Sequence, residues 1–460
     1  MLNTALLRSK TVAAVSVLFL FVLSLQVVYR KSDRRNSLFK VTPQPIENIS
    51  DDLLCSQLPY ANEVAVILRT GATEIQDKLP VHFETTFRCY KNSIIFSDYA
   101  EVFQGVQVHD VLASIDPAVK AQEPDFEIYR RLQRHGRTAL RPNELSGDAS
   151  FEGSKSGKKE NAGWKLDKWK FLPMMNETLR LHPDKKWYIF LETDSYMVWS
   201  NMLQWLQKLD PSQPLYFGNE NQIGPDIYAH GGSVFVMSFP AVLKAAQAYA
   251  AEEEKWNTWT ARHWAGDCVL GKLLKEAGVP LTWTWPMLQG GHPAKMNFGE
   301  AKAAKSLWCA PSLSYHHFSP GEMMQMWQFE QNWMHSRQQL AIDEGRQPWQ
   351  DDMQDVLHHS DVFLKYIYPN ITTDWREWNN LSPDLVMAGR DDYNACFQLC
   401  EQSENCVQFS TSPAGCSIST KAIMLGQRWA DYRSYWVMSR VDKQIAEWNH
   451  CDGKNGWLVT

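Results

Sequence analysis

The sequence has no basic excess: 46 Lys and Arg stand against 52 Asp and Glu, giving a net charge of −6. A chain that binds nucleic acid through phosphates needs clustered positive charge, so nucleic acid is not an expected partner. No acidic tail is present either, and with 44% hydrophobic residues the composition argues against a disordered chain. No internal repeat is found, which argues against a repeat architecture. Long apolar runs are scarce, and the clear exception is Thr11 to Tyr29, which carries no charge. As a helix this run spans roughly 28 Å, close to the hydrocarbon thickness of a bilayer. No small-residue cleavage pattern follows it, which favours a membrane anchor over a cleaved signal peptide.

The flanks of this run disagree with the rest of the chain about orientation. Arg8 and Lys10 precede it, whereas Arg30, Lys31, Arg34 and Arg35 follow. Basic residues alone would leave the C-terminal side in the cytosol. Against this, Asn-x-Ser/Thr sequons stand at Asn48, Asn176, Asn370 and Asn380. All nine cysteines also lie beyond the run, and Cys396, Cys400, Cys406 and Cys416 cluster as a disulfide staple would. The expected arrangement is a type II protein of the Golgi or endoplasmic reticulum. Its cytoplasmic tail is 1–10, its anchor 11–29 and its stem 30–58, with the remainder in the lumen.

At 460 residues the chain is too long for one domain, and two or three units are expected. Val64 to Leu68 and Ser93 to Asp98 read as strands around a helical stretch from Glu74 to Phe87, a β-α-β opening. Cys55 and Cys89 bracket this unit and are placed to be bridged. Residues 147–163 are rich in Gly, Ser and Lys and read as a loop. Helix Lys165 to Leu181 then leads into the strand Trp187 to Leu191, and strands follow at Leu215 to Phe217 and Val234 to Met237. From Asp267 to Ala277 apolar residues recur on one helical face, and Gly278 stands where a C-terminal cap belongs. The sum is a three-layer α/β domain over 59–335, then a linker over 336–385 and a small cysteine-rich unit over 386–460.

Glu192-Thr193-Asp194 directly follows the most hydrophobic strand. Ligands of open α/β sheets bind outside the carboxyl ends of strands, and carboxylates there suit a divalent cation bridging a diphosphate. Arg69 and Thr70 end the first strand on the same edge. Twenty tryptophans could stack on sugar rings or simply fill cores.

The run WYIFLETDSYMVWSNMLQWLQKLDPSQPLYFG resembles the core of glycosyltransferase family 31, the fringe-like and core-1 galactosyltransferase-like enzymes. His230-Gly231-Gly232-Ser233 is similar to that family's glycine-pair motif, where missing side chains let substrate approach. Gly266-Asp267-Cys268-Val269 resembles its acidic pair opening a helix, and Tyr315-His316-His317-Phe318 its downstream histidine. The resemblance implies a GT-A fold and inverting β-1,3 transfer of a hexose or N-acetylhexosamine from a UDP-sugar to a glycan or glycoprotein. Asp194 and His316, with His317 as alternative, would hold the metal, and imidazole with carboxylate suits Mn²⁺ better than Mg²⁺. Asp267 would be the general base, or a helix cap, or both. Asp98 would contact the nucleotide, and Lys168 the diphosphate.

Two positions depart from the family pattern, since Thr193 and Gly266 stand where acids are expected. They keep a second reading open: an inactive relative serving as chaperone or partner of another transferase. A homodimer is a further option. The run ACFQLCEQSENCVQFSTSPAGCSIS resembles a PAN/apple module, which implies Cys396–Cys416 and Cys400–Cys406 pairs. A carbohydrate-binding protein would rest on that module alone and leave the other motifs unexplained. Among the remaining cysteines Cys268–Cys309 is an available pairing, and one thiol must stay unpaired or bridge chains.

Overall fold

Val64–Arg69 (VAVILR) is apolar without alternation up to its final Arg69, which is how a strand covered on both faces reads, and all six residues are buried (β1). Seven more strands complete its sheet: β2 (Ser93–Ser97), β3 (Glu101–Phe103), β4 (Val106–Asp110), β5 (Trp187–Glu192), β6 (Tyr216–Gly218), β7 (Phe235–Ser238) and β8 (Thr282–Trp283). Their order is β8-β6-β7-β5-β1-β2-β4-β3. The centre is parallel, β5 and β2 flanking β1, while β7 runs antiparallel between β5 and β6. The computed structural model describes residues 53–145, 161–302, 305–349, 355–451 and 456–458. The expected tail, anchor and nearly all of the stem lie outside the described residues, as does most of the 147–163 loop. Among the described residues no helix is long and apolar enough to cross a membrane.

Alternate residues of the central strands feed two cores. Ala65, Ile67, Tyr188, Phe190, Phe235 and Met237 meet Leu172 and Met175 of the helix Phe171–Leu181, Val242 and Ala245 of Phe239–Ala251, and Leu270 and Leu273 of Gly266–Glu276. On the other face, Trp187 and Trp205 pack against Phe217, Trp205 coming from the helix Trp199–Leu206. Helix Gly266–Glu276 ends as its sequence suggests. Gly278 takes φ 76°, its N–H donates to Lys275 O, and the Val279 N–H donates to Leu274 O, the paired bonds of a left-handed glycine cap. The expected helix over Glu74 to Phe87 is instead three short turns, Ile75–Lys78, Pro80–Glu84 and Thr86–Arg88. Pro80 has no N–H to continue the first turn.

The described residues of the stretch expected as a linker include regular elements. Its start completes the helix Pro320–Asp343, and Asp374–Asn379 is an edge strand of a five-stranded antiparallel sheet. The other strands of that sheet are Gln427–Trp436, Gln408–Ser412, Gly415–Ser419 and Asp384–Ala388. Helix Tyr393–Gln402 packs on it around the bridges Cys396–Cys416 and Cys400–Cys406. Cys55–Cys89 forms as well. Cys309, however, pairs with Cys451, and Cys268 is a buried free thiol. Cys268 lies in the first turn of a helix, packed with Tyr228 and Ala265. Two of the sequons are also spent internally, because Asn370 and Asn380 are buried and donate to Tyr366 O and Phe409 O. Asn176 is exposed.

The Cys309–Cys451 bridge spans 142 residues of sequence, and a cross-link closing so long a loop removes much freedom from the unfolded chain. Replacing both cysteines with serine is expected to cost about 2–4 kcal/mol, read as a lower unfolding midpoint in urea. An unchanged midpoint would show that the bridge adds nothing to the packing around it.

Candidate active site

The register of the parallel sheet sets Arg69 opposite Glu192 at the carboxyl ends of β1 and β5. Their side chains form an ion pair, and the same guanidinium pairs with Asp167 while lying 4.1 Å over the Phe171 ring. Next to β1, Asp98 is 1% exposed. Its Oδ1 accepts from the Ala72 N–H at 2.8 Å, and its Oδ2 lies 3.2 Å from Lys170 Nζ. Lys170 also donates to Thr70 O at 2.6 Å and faces Asp167 at 3.2 Å. Arg69, Thr70 and Asp98 are thus brought together, as their strand-end positions suggest. Lys168 is not with them. The turn Lys168–Lys170 sends its side chain the other way, to Asp125 Oδ2 at 2.8 Å and Ala261 O at 3.2 Å. Lys170 is the lysine at this edge.

Asp194 and His316 are far apart in sequence and are joined by a short antiparallel pairing of Ser314–Tyr315 with Tyr196–Met197. A further bond from the Phe318 N–H to Asp194 O, at 3.0 Å, fixes the crossing. His316 Nε2 consequently lies 3.1 Å from Asp194 Oδ1 and 3.7 Å from Glu192 Oε2. His317, at φ 67°, stacks on the His316 ring at 3.8 Å. Donor atoms of Asp194, His316 and His317 all fall within 4.8 Å of one another. Burial alone would lower the His316 pKa, but the two carboxylates push it up to about 9. Burial works the other way on Asp194, where Lys78 and His316 outweigh it and hold the carboxyl well below its usual range. Glu192 is likewise held low, against its burial, by Arg69 and His316. For His317 burial prevails, helped by the neighbouring His316, and its pKa falls to about 4.

The residues present fit a divalent ion. Two imidazoles and a carboxylate are a borderline donor set of the kind Mn²⁺ accepts. The other ring nitrogen of His316, Nδ1, is buried without a hydrogen-bond partner, so nothing in the protein fixes the tautomer that ligation would require.

The third part of the site is the turn Gly231–Ser233. Gly231 N–H donates to Asp267 Oδ2 at 2.9 Å, and Asp267 Oδ1 accepts from the Cys268 N–H at 2.8 Å. Asp267 therefore does serve its helix start, from the second helical position rather than as the cap, which is Ala265. Burial raises its pKa despite His230 nearby. One residue along, a Cβ on Gly232 would overlap the His316 ring, and Gly232 O accepts from Ser195 Oγ at 2.6 Å. The glycine pair thus makes room for the protein's own ring, not simply for substrate. A Cβ on Gly231 would crowd Phe171 at 2.9 Å.

The two departures at acidic positions have local reasons. Any side chain at Gly266 would run into Lys168 O and the Phe171 ring, so packing demands glycine there. Thr193 is buried, its carbonyl 2.8 Å from His82 Nε2, and its hydroxyl lies 3.5 Å from Glu74. Glu74 thus brings a carboxylate to the neighbourhood from another element. Sequence reasoning missed Glu74, Lys78, Asp167, Lys170 and His230. Only the four-residue spacing of Glu74 and Lys78 offered a signal, and it reads equally well as a surface helix pair.

A cleft of about 610 Å³ opens beside the Asp267 helix. Trp164 and Trp264 line it with near-parallel rings 6.2 Å apart, and His263 lies parallel to Trp264 at 6.3 Å. Trp264 is 51% exposed. Lys168, whose carbonyl abuts Gly266, forms another part of the wall with Asp125 and Arg262.

Comparison with curated proteins finds no match. A match to a family model covers residues 169–335, which contain Glu192, Asp194, the Gly231–Gly232 turn, Asp267 and His316. Over that segment the chain is similar to the family described as Fringe-like, a likeness that implies a glycosyltransferase.

Proposed function

We propose that the protein is a metal-dependent, inverting glycosyltransferase of GT-A architecture. In this reading it transfers a hexose or N-acetylhexosamine from a UDP-sugar to a glycan or glycoprotein, in β-1,3 linkage. One observation carries the reading. The turn Gly231–Ser233 holds the candidate base Asp267 through its first residue and packs against His316 through its second, so base and metal ligands share one rigid wall.

Asp194 and His316, with His317 beside them, would hold Mn²⁺, which supplies Lewis acidity toward the leaving diphosphate. Arg69, Thr70, Asp98 and Lys170 form the nucleotide side, at the carboxyl edge where such sheets take ligands. Glu192 orients His316 and is itself oriented by Arg69. Asp267 takes the proton from the acceptor hydroxyl as its oxygen attacks the anomeric carbon. Burial suits this role, since a carboxylate with a raised pKa is a better base. The Trp164–Trp264 cleft offers the acceptor flat aromatic faces with charged groups at the rim, a combination that suits sugar rings.

The test is a thermal-shift panel of UDP-galactose, UDP-glucose and UDP-N-acetylglucosamine, each with and without Mn²⁺. The expected result is stabilisation only when nucleotide and metal are both present. If none of the donors shifts the melting temperature, the reading fails. A type II lumenal placement belongs to the same proposal and is supported by four disulfides among the described residues. Protease digestion of intact microsomes that removed the C-terminal domain would reject it.

A further inference from the structure

The candidate metal pocket already contains a cation. Lys78 ends the short helix Ile75–Lys78, and its side chain is 16% exposed. Nζ lies 3.4 Å from Asp194 Oδ2 and 3.1 Å from Glu74 Oε2. Asp194 is therefore shared: Oδ1 faces His316 and Oδ2 faces the ammonium. A divalent ion bound by Asp194 and His316 would stand next to this like charge. Two neighbouring positive charges repel strongly where water is scarce. Threonine at position 193 makes the competition sharper, since no further carboxylate stands between Glu192 and Asp194 to offset the added charge.

We propose that Lys78 is the resident counter-ion of the metal pocket: it occupies Asp194 in the metal-free protein and must yield that carboxylate when a divalent ion enters. Metal alone then binds weakly. A donor diphosphate brings the negative charge that accommodates both cations, so metal and nucleotide bind as a coupled pair, each raising the affinity of the other. Glu74, on the preceding turn, offers the displaced ammonium a place to remain. The proposal rests on the assignment of Asp194 and His316 as metal ligands.

The probe is Mn²⁺ itself, followed by calorimetry and by loss of the free-ion electron paramagnetic resonance signal, with and without UDP. Lys78→Met is expected to tighten Mn²⁺ binding in the absence of UDP by about tenfold or more, and to narrow the gap between the affinities with and without UDP. Lys78→Arg keeps the charge and should leave both near those of the native chain. Lys78→Gln serves as a second neutral variant, and melting curves establish that each is folded. Unchanged or weaker Mn²⁺ binding in both neutral variants overturns the proposal, as does equal tightening in Lys78→Arg. Failure of the proposed function would look different, since the native protein would then bind no UDP-sugar with Mn²⁺ present.

Discussion

Asp267→Asn is expected to cut turnover by about 10²- to 10⁴-fold, the usual contribution of a positioned general base, while Mn²⁺ and UDP binding stay unchanged. Asparagine is nearly isosteric and can still accept the Gly231 N–H through its carbonyl oxygen, so the turn should hold, while the Cys268 N–H in the first helical turn loses its acceptor. What it cannot do is take a proton. The native enzyme should also show an acid limb in kcat placed above the range of an ordinary aspartate, because burial raises the Asp267 pKa. The base works only when deprotonated, so activity rises with pH through that limb, and in Asp267→Asn the limb should vanish along with the rate. UDP release measured across the pH range checks both points. Full turnover in the asparagine variant would remove Asp267 from the chemistry and leave it a helix-start residue.

Asp194→Asn should weaken Mn²⁺ binding at least about 100-fold. Residues that merely orient metal ligands commonly cost 10- to 100-fold when replaced, and Asp194 is read as a direct ligand. The variant also leaves Lys78 with Glu74 in place of two carboxylates, and removes one of the two carboxylates facing His316. The His316 pKa should therefore fall from about 9 toward the value set by its burial. Mn²⁺ titration followed by calorimetry, together with nuclear magnetic resonance titration of the histidine ring, separates metal loss from general damage. A metal-dependent thermal shift that survived the change would place the ion elsewhere.

Much of the sheet was legible because its central strands are buried on both faces and read as unbroken apolar runs. Strand ends then gave Arg69, Glu192 and Asp194 their shared edge, which is a property of parallel topology rather than of any motif. His316 needed the motif, because no periodicity foretells the two-residue pairing of Ser314–Tyr315 with Tyr196–Met197. Lys168 is the lysine expected at the diphosphate, whereas Lys170 is the one that reaches the strand edge. The difference between them is the direction in which a single turn points each side chain, and residue type does not carry that. Asp167 and Lys170 belong to a partly buried network of five charged side chains with Arg69, Asp98 and Glu192, which nothing short of the tertiary fold assembles. The Cys268–Cys309 pairing that the sequence leaves available does not form, for a similar reason. The partner of Cys309 lies 142 residues away, inside a unit that reads as separate.

That same bridge makes the C-terminal unit a closed loop of the enzyme rather than an appendage. Trp448, just before Cys451, packs on Trp308 at 5.4 Å and fills the space over Gly299, and Gly426 N–H donates to Ala294 O at 2.7 Å. A truncation after residue 335 would strip these partners from the polypeptide that leads to His316, and would leave Cys309 with an unpaired thiol. Domain-boundary engineering that treats the motif-bearing segment as self-sufficient would thus yield a protein prone to mispaired disulfides and aggregation, and its inactivity would say nothing about the catalytic residues.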